Sequence, residues 1–415
     1  MAAQTRPSAS DPGPRAPRER PFGGWRAAIR PVLTLGLTQI VGFGSIYYAF
    51  GVLVAPLSAE LGISPTTAFA CLSVALLSGA LTAPLAGRLI DRRGARTMMA
   101  AGSVGCALAF ALLSQAGAVW SLVLALIAVE MLAPLVLYDA AFAAVAQAVG
   151  EARARAAITM TTMIGGFAST VFWPLTLYLS QGWGWRETYL AFAALHLILC
   201  LPLHLSLPRG PGSDAPRDPV APRFAPLPAR LHGRAMVLLA LGLSLSWAVM
   251  SAFSAQWVPV LGAVGLPEAT AVAAGALMGP SQVGARVLDM LFASHRHPMG
   301  TALVAMACLA LALVVLVLAP VGVVTVSVFA VLFGIGQGLA TTVRGTVPLA
   351  LFGLLGYAAR LGKLAGLRML VAALSPFAMA ASLATLGPWI TLWLFAALAA
   401  LSLALLACVP WRVTE

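Results

Sequence analysis

Three charged residues, Glu130, Asp139 and Arg344, stand inside long apolar stretches of this sequence. An ionisable group at the centre of a membrane helix costs about 2.5 to 3.5 kcal/mol on insertion scales, so each calls for a partner or a purpose. A carboxyl withdrawn from water can gain or lose a proton as its surroundings change, which makes Glu130 the candidate proton-coupling site. The competing reading is an acid that only packs. Glu130 and Asp139 are nine residues apart on one stretch, about 180° around a regular helix, so they are expected to face opposite sides. Gln337, Thr341 and Arg344 fall at i, i+4 and i+7 and form one polar stripe. A guanidinium is a planar partner for a carboxylate, so the stripe suits an anionic solute, or a counter-ion role for Glu130 or Asp139. The alternative is a side chain that snorkels to head groups. Gln39, Phe43 and Tyr47 share one helical face, with Tyr48 pointing elsewhere, while Ser244, Trp247, Ser251 and Ser254 form a stripe on another stretch. Hydroxyls of this kind serve close helix packing as readily as ligands, and so do Gly165 and Gly166.

Other chemistries find no support. Lys363 is the only lysine, and Tyr357 occupies the place of the first glycine of a phosphate-binding loop, so no nucleotide hydrolysis of that type is expected. Cys71, Cys106, Cys200, Cys308 and Cys408 lie in separate apolar stretches and read as small buried hydrophobes. His295 and His297 alone do not make a metal site. No paired acids or histidine cluster suggest an enzyme, and no cofactor or metal is expected.

These residues must be positioned by membrane helices. In 415 residues, 60% are hydrophobic and only 9% charged, with a mean hydropathy of +0.94. Soluble domains carry about 25% charged residues, so lipid rather than water must cover most of this surface. Apolar stretches of spanning length fall at 32–56, 68–90, 97–116, 119–149, 156–180, 186–207, 234–261, 268–293, 299–319, 321–350, 365–386 and 388–409. Twelve spans are expected, all helical, because strands with open edges leave backbone groups unpaired in lipid. The Pro- and Arg-rich start lacks the apolar core of a cleaved signal peptide.

The net charge of +12 comes from short basic bursts between spans, not from a basic face with stacking aromatics, so nucleic acid is not an expected partner. With twelve spans the bursts fall on one side: Arg6, Arg15, Arg18 and Arg20 of the tail, Arg88 to Arg96, Arg153 and Arg155, Arg209, Arg217 and Arg223 of the central loop, and later Arg296, Arg360, Lys363, Arg368 and Arg412. Arg186 alone falls opposite. The positive-inside rule then places both termini in the cytoplasm of a multi-pass protein of the cell (inner) membrane. The expected division is a tail at 1–31, a six-helix bundle at 32–207, a cytoplasmic linker at 208–233, a second bundle at 234–409 and a tail at 410–415. Two segments partly repeat between the halves: Leu61 to Ala68 resembles Val264 to Ala271, and Leu85 to Asp91 resembles Val283 to Asp289. Duplication of this kind builds transporters whose halves rock about a site between them. The tryptophans of the loop Gln181 to Glu187 are expected to anchor it at the outer interface.

The loop Gly87-Arg-Leu-Ile-Asp91-Arg92-Arg93-Gly94-Ala95-Arg96 closely resembles the signature between helices 2 and 3 of the major facilitator superfamily, G-x-L-a-D-R-x-G-R-[RK], departing only where Ala95 replaces a basic residue. Twelve spans, the 6+6 division and the central loop extend the likeness over the whole chain. The resemblance implies an all-α integral membrane fold, two pseudo-symmetric six-helix bundles of the major facilitator fold. It implies a monomeric secondary active transporter working by alternating access, whose partners are a small-molecule substrate, the bilayer and protons or an exchanged solute. Gln39 to Gly62 and Gly334 to Gly353 are similar to the bacterial monocarboxylate-porter-like and oxalate/formate-like branch, which implies a monocarboxylate-type anion. The alternative is efflux of an amphipathic drug or a neutral metalloid species; span 4 lacks the arginine that proton-coupled drug antiporters usually carry. In the superfamily, helices 1, 4, 7 and 10 line the cavity, which implies substrate or coupling contacts from Gln39, Tyr47, Glu130, Trp247, Ser251, Gln337, Thr341 and Arg344. The signature loop implies a cytoplasmic gate in which Asp91 caps a neighbouring helix, Arg92 pairs with an acid of span 4, Gly87 and Gly94 allow close approach and turning, and Asp139 meets Arg92 or Arg96. Arg286 and Asp289 are the degenerate copy of this gate in the second half.

Overall fold

The computed structural model describes residues 25–208 and 224–412, apart from 276 and 294, and these are almost wholly helical. The tail arginines through Arg20 and the linker residues Arg209, Arg217 and Arg223 lie outside the described residues. Ten helices among the described residues are long and apolar enough to cross a bilayer. The two other expected spans cross in pieces. Span 5 is Glu151–Gly165 followed by Ala168–Trp183. Span 8 is Glu268–Gly275 followed by Met278–Leu288. In span 5 the break falls at two adjacent glycines, which have poor helix propensity, and the Phe167 amide closes a tightened last turn onto the Ile164 carbonyl.

Local irregularities interrupt several of the helices. Span 1 runs as Trp25–Phe43, a π-turn over Gly44–Tyr48 and Ala49–Leu61, so it starts seven residues before the expected position of 32. Span 6 is Trp185–Leu195, a π-turn over His196–Cys200 and Leu201–Leu205. There Pro202 offers no amide to the carbonyl four residues back, and the Leu201 amide bonds to His196 five residues back instead. Span 4 is Val119–Val136 and Tyr138–Val149, separated by an extended Leu137. The expected 180° between Glu130 and Asp139 therefore does not hold, because the helix that would set it is interrupted between them. Span 7 (Ala229–Ala263) kinks at Gln256, ahead of Pro259. Spans 10 and 11, Val323–Phe352 and Tyr357–Leu386, are continuous.

Each half has its own apolar core, and a third cluster joins them at the end of the bundle that bears the linker, with Val32, Phe142 and Ile158 of the first half against Leu349, Tyr357 and Leu361 of the second. Span 2 (Pro65–Arg93) and span 11 meet there along a seam of small residues. A Cβ on Gly87 would strike the Ala358 carbonyl, one on Gly362 the Ala83 carbonyl, and one on Gly366 would lie 2.8 Å from the Ala80 oxygen. Spans 5 and 8 join this closure through their linker-end pieces, Glu151–Gly165 and Met278–Leu288. The apolar cluster that joins the halves lies at this end, which leaves a cleft between them toward the other, and Tyr47, in the middle of span 1, is 43% exposed.

At that opposite end, Trp185 is buried rather than interfacial, donating from Nε1 to Glu60, while Trp183 remains exposed. Arg186 donates to Glu60 and to the Ser114 and Ala116 carbonyls, so it ties spans 1, 3 and 6 together. Cys408, expected to be buried, is exposed at the end of span 12.

Candidate functional site

Arg344 lies at the floor of the cleft, 7% exposed, in a box of three aromatic rings. Its guanidinium carbon is 5.0 Å from the Tyr138 ring centroid, 5.4 Å from Phe142 and 5.3 Å from Trp247. Cation–π attraction of this kind is worth about 2 kcal/mol when desolvated. It leaves the in-plane donors unspent, and Nε is buried without a hydrogen-bond partner. The other two stripe members behave differently. Thr341 donates back to the Gln337 carbonyl, whereas the Gln337 amide reaches Ser254 of span 7 at 3.4 Å and its oxygen accepts from Gln282 of span 8 at 3.0 Å.

Asp139 does not meet Arg92 or Arg96. It accepts from Arg368 of span 11 at 3.0 Å, and Arg368 also lies 4.8 Å from Trp247, the ring that Arg344 uses. Arg92 is exposed in the last turn of span 2. Arg368 looks interfacial if span 11 begins at 365; the helix actually starts at Tyr357, which puts Arg368 three turns inside. Glu130 is 2% exposed, and one of its carboxyl oxygens has no hydrogen-bond partner. Tyr47 lies within electrostatic reach of Glu130, Arg368, Arg344 and Asp139. Phe43, Tyr138 and Phe142 continue the aromatic file from Tyr47 to the Arg344 box.

Gln39 is buried and donates to the Val136 carbonyl at 2.8 Å, satisfying a group at the span 4 break, while its own oxygen stays unpartnered. Ser251 donates to the Ala372 carbonyl of span 11, a packing contact within the second half. Gly165 accommodates the Tyr138 hydroxyl and Gln39.

Arg286 was expected beside Asp289 in the gate, and the two are separated. Arg286 is 6% exposed against span 10, donating to the Gly338 carbonyl at 3.0 Å with Gln282 nearby, because it lies almost one turn nearer the middle of span 8. Asp289 sits at the linker end and binds Arg155 of span 5 at 3.3 Å, with Thr301 of span 9 donating to it at 2.6 Å. Arg155 also donates to Thr301 and to the Arg296 carbonyl. In the sequence Arg155 and Arg368 stand out only as topology charges, because nothing in the spacing pairs them with acids more than a hundred residues away. At the same end both Asp91 oxygens accept amides at the start of span 11, from Ala358 at 3.0 Å and Ala359 at 2.6 Å. Gly94 turns the chain with φ of 84°, and the following Ala95 amide is capped by Gln147 of span 4.

Residues 35–353 match the sequence profile of the Major Facilitator Superfamily. No functionally curated protein matches the chain. Among solved structures, the human organic anion transporter MFSD10 (TETRAN) is similar with a TM-score of 0.66 at 15% identity, over 92% of this chain and 99% of that one. The proton:xylose symporter XylE bound to 6-bromo-6-deoxy-D-glucose is similar with a TM-score of 0.72 at 13% identity, over 93% and 97% of the two chains. At these identities the likeness concerns the fold, and it agrees with the two-bundle arrangement found here. With most of its length matched by the family profile and its helices in this fold, the chain belongs to the major facilitator superfamily and is a membrane transporter, not an enzyme.

Proposed function

We propose that this protein is a secondary active transporter of a small organic anion of the monocarboxylate type, moved by alternating access with proton coupling or exchange. One observation carries the reading: Arg344 is buried at the floor of the cleft with aromatic rings around it, no ion-pair partner among the described residues, and an unspent Nε donor. The nearby carboxylate of Asp139 is bonded to Arg368 rather than to Arg344, and an incoming carboxylate would supply the direct partner that a buried guanidinium lacks, in the planar geometry it favours. Glu130, unpartnered and near the same cluster, is the group proposed to carry the proton. With the positive-inside orientation the linker end is cytoplasmic, the cleft faces outward, and the contacts of Asp91, Gly87, Arg155 and Asp289 form the closed inner gate. The organic anion transport and proton symport named for the two similar structures are compatible with this reading.

The test is uptake into proteoliposomes under an inward proton gradient, using a panel of labelled carboxylates with wild type, Glu130→Gln and Arg344→Gln. The expected result is gradient-driven accumulation by wild type, lost in both variants. Absence of flux for every carboxylate in folded protein overturns the proposal and points instead to export of an amphipathic drug or a neutral metalloid species.

A further inference from the structure

The π-turns of spans 1 and 6 meet at a single hydrogen bond, Ser45 Oγ to His196 Nε2 at 3.0 Å, with both residues 1% exposed. Ser45 has one hydroxyl proton, and it is donated to the Val41 carbonyl at 2.7 Å. The contact with His196 must therefore run from imidazole to hydroxyl, which fixes a proton on Nε2 and leaves Nδ1 bare. Nδ1 has no partner, as that tautomer requires. On the flank of the same turn the Phe172 ring occupies the space where a Cβ of Gly44 would be, so a larger residue there would push the turn out of place.

The position of this staple matters for the cleft. In a regular α-helix the residue one turn beyond Phe43 is Tyr47; across an i to i+5 turn it is Tyr48. Regular periodicity accordingly turns Tyr48 away from the face of Gln39 and Phe43. With the π-turn in place both adjacent tyrosines flank the Phe43 face: Tyr48 takes the i+5 place and is half-buried, while Tyr47 is 43% exposed and keeps its ring 5.8 Å from that of Phe43. Ser45 is two residues from Tyr47, about 200° around the helix, so the staple acts from the side of span 1 that faces away from the cleft.

We propose that the Ser45–His196 hydrogen bond is a positioning device that locks span 1 in its π-turn and so holds Tyr47 and Tyr48 together on the cleft wall. His196 is on this account a positioning residue that sets solute selectivity without touching the solute. Its importance for transport rests on the anion-binding reading of the cleft; its effect on the tyrosines does not.

The test is thiol labelling, which needs no solute. Tyr47→Cys and Tyr48→Cys are introduced separately into protein carrying Cys308→Ala and Cys408→Ala, placed in nanodiscs, and exposed to a bulky cationic methanethiosulfonate reagent. Protein without an introduced cysteine serves as the blank. Both positions should label when His196 is present. His196→Phe, and the milder Ser45→Ala, should abolish labelling of Tyr48→Cys while Tyr47→Cys still labels. His196→Gln, which restores a donor at the reach of Nε2, should bring it back. His204→Phe removes the neighbouring bond to Ser103 of span 3 and should leave labelling at both positions unchanged. Equal labelling of Tyr48→Cys in the Ser45→Ala and His196→Phe backgrounds overturns the proposal, as does parallel loss at both positions. If the carboxylate uptake assay succeeds, His196→Phe should raise KM with kcat retained, and His196→Gln should recover the wild-type KM.

Discussion

Arg368 and Asp139 form a buried pair that crosses between the halves, with side-chain exposures of 6% and 17%. Removing one partner of such a pair strands the other charge in a poorly solvating site, at a cost of about 3 to 5 kcal/mol, whereas removing both with isosteric residues is far less harmful. Asp139→Asn and Arg368→Met alone should each lower the Tm in detergent, and the double variant should regain most of the loss. Independent, additive losses would show that the pair is not coupled. The sequence exposes both acids and Arg344 at once, because a charge within twenty apolar residues is conspicuous. It does not expose their partners. Arg368 lies close enough to a helix end to pass for a topology charge, and the aromatic box around Arg344 draws Tyr138 and Phe142 from one span and Trp247 from another, none of which stands out among the chain's aromatic residues.

Among the elements, spans 2 and 11 close the linker end by direct backbone contact, since Gly87, Gly362 and Gly366 leave no side chain between the helices. Overpacking a tight contact costs about 1 to 3 kcal/mol. Gly362→Val should therefore shift the protein away from this closed arrangement, by about 5- to 150-fold in the conformational equilibrium. Spin labels on the linker ends of spans 2 and 11 should report a longer distance population in the variant, and an unchanged distribution would mean that the seam does not hold the closed state. Apolar length suffices to find the spans, including the two that cross in pieces, because lipid demands it of any backbone that crosses. The break at Gly166, the extended Leu137 and the π-turns at Gly44 and His196 lie beside glycine and proline, and a regular helical period does not carry across them to Tyr48 or between the two span 4 acids.

The whole molecule ties its linker to the second half. Phe224 packs edge-on to His297, His297 stacks on Trp411 at 5.1 Å, and the Leu227 amide donates to the Leu351 carbonyl. His297 also caps span 9, its Nδ1 accepting from the Met299 amide at 3.1 Å, which requires a neutral ring. Burial, and secondarily the charge of Arg155, hold its imidazole down at about 4, against an ordinary 6.5. Between those values the unfolded chain binds a proton that the folded one refuses, so the stability contributed by the neutral cap is complete above about 6.5 and falls as the pH drops towards 4. The Tm of wild type should fall across that window more steeply than that of His297→Asn, which keeps an acceptor without the titration. Parallel curves would remove His297 from the account.

The closed end also has a bearing on the surroundings in which the protein works. Dissolved ions screen exposed charges over about 8 Å at physiological strength and scarcely touch contacts from which water is excluded. The glycine seam is uncharged, Asp91 is spent on two backbone amides, and the Arg368–Asp139 and Arg155–Asp289 pairs are largely shielded among helices. Raising the salt concentration on the linker side of the membrane should thus leave this door shut as firmly as before.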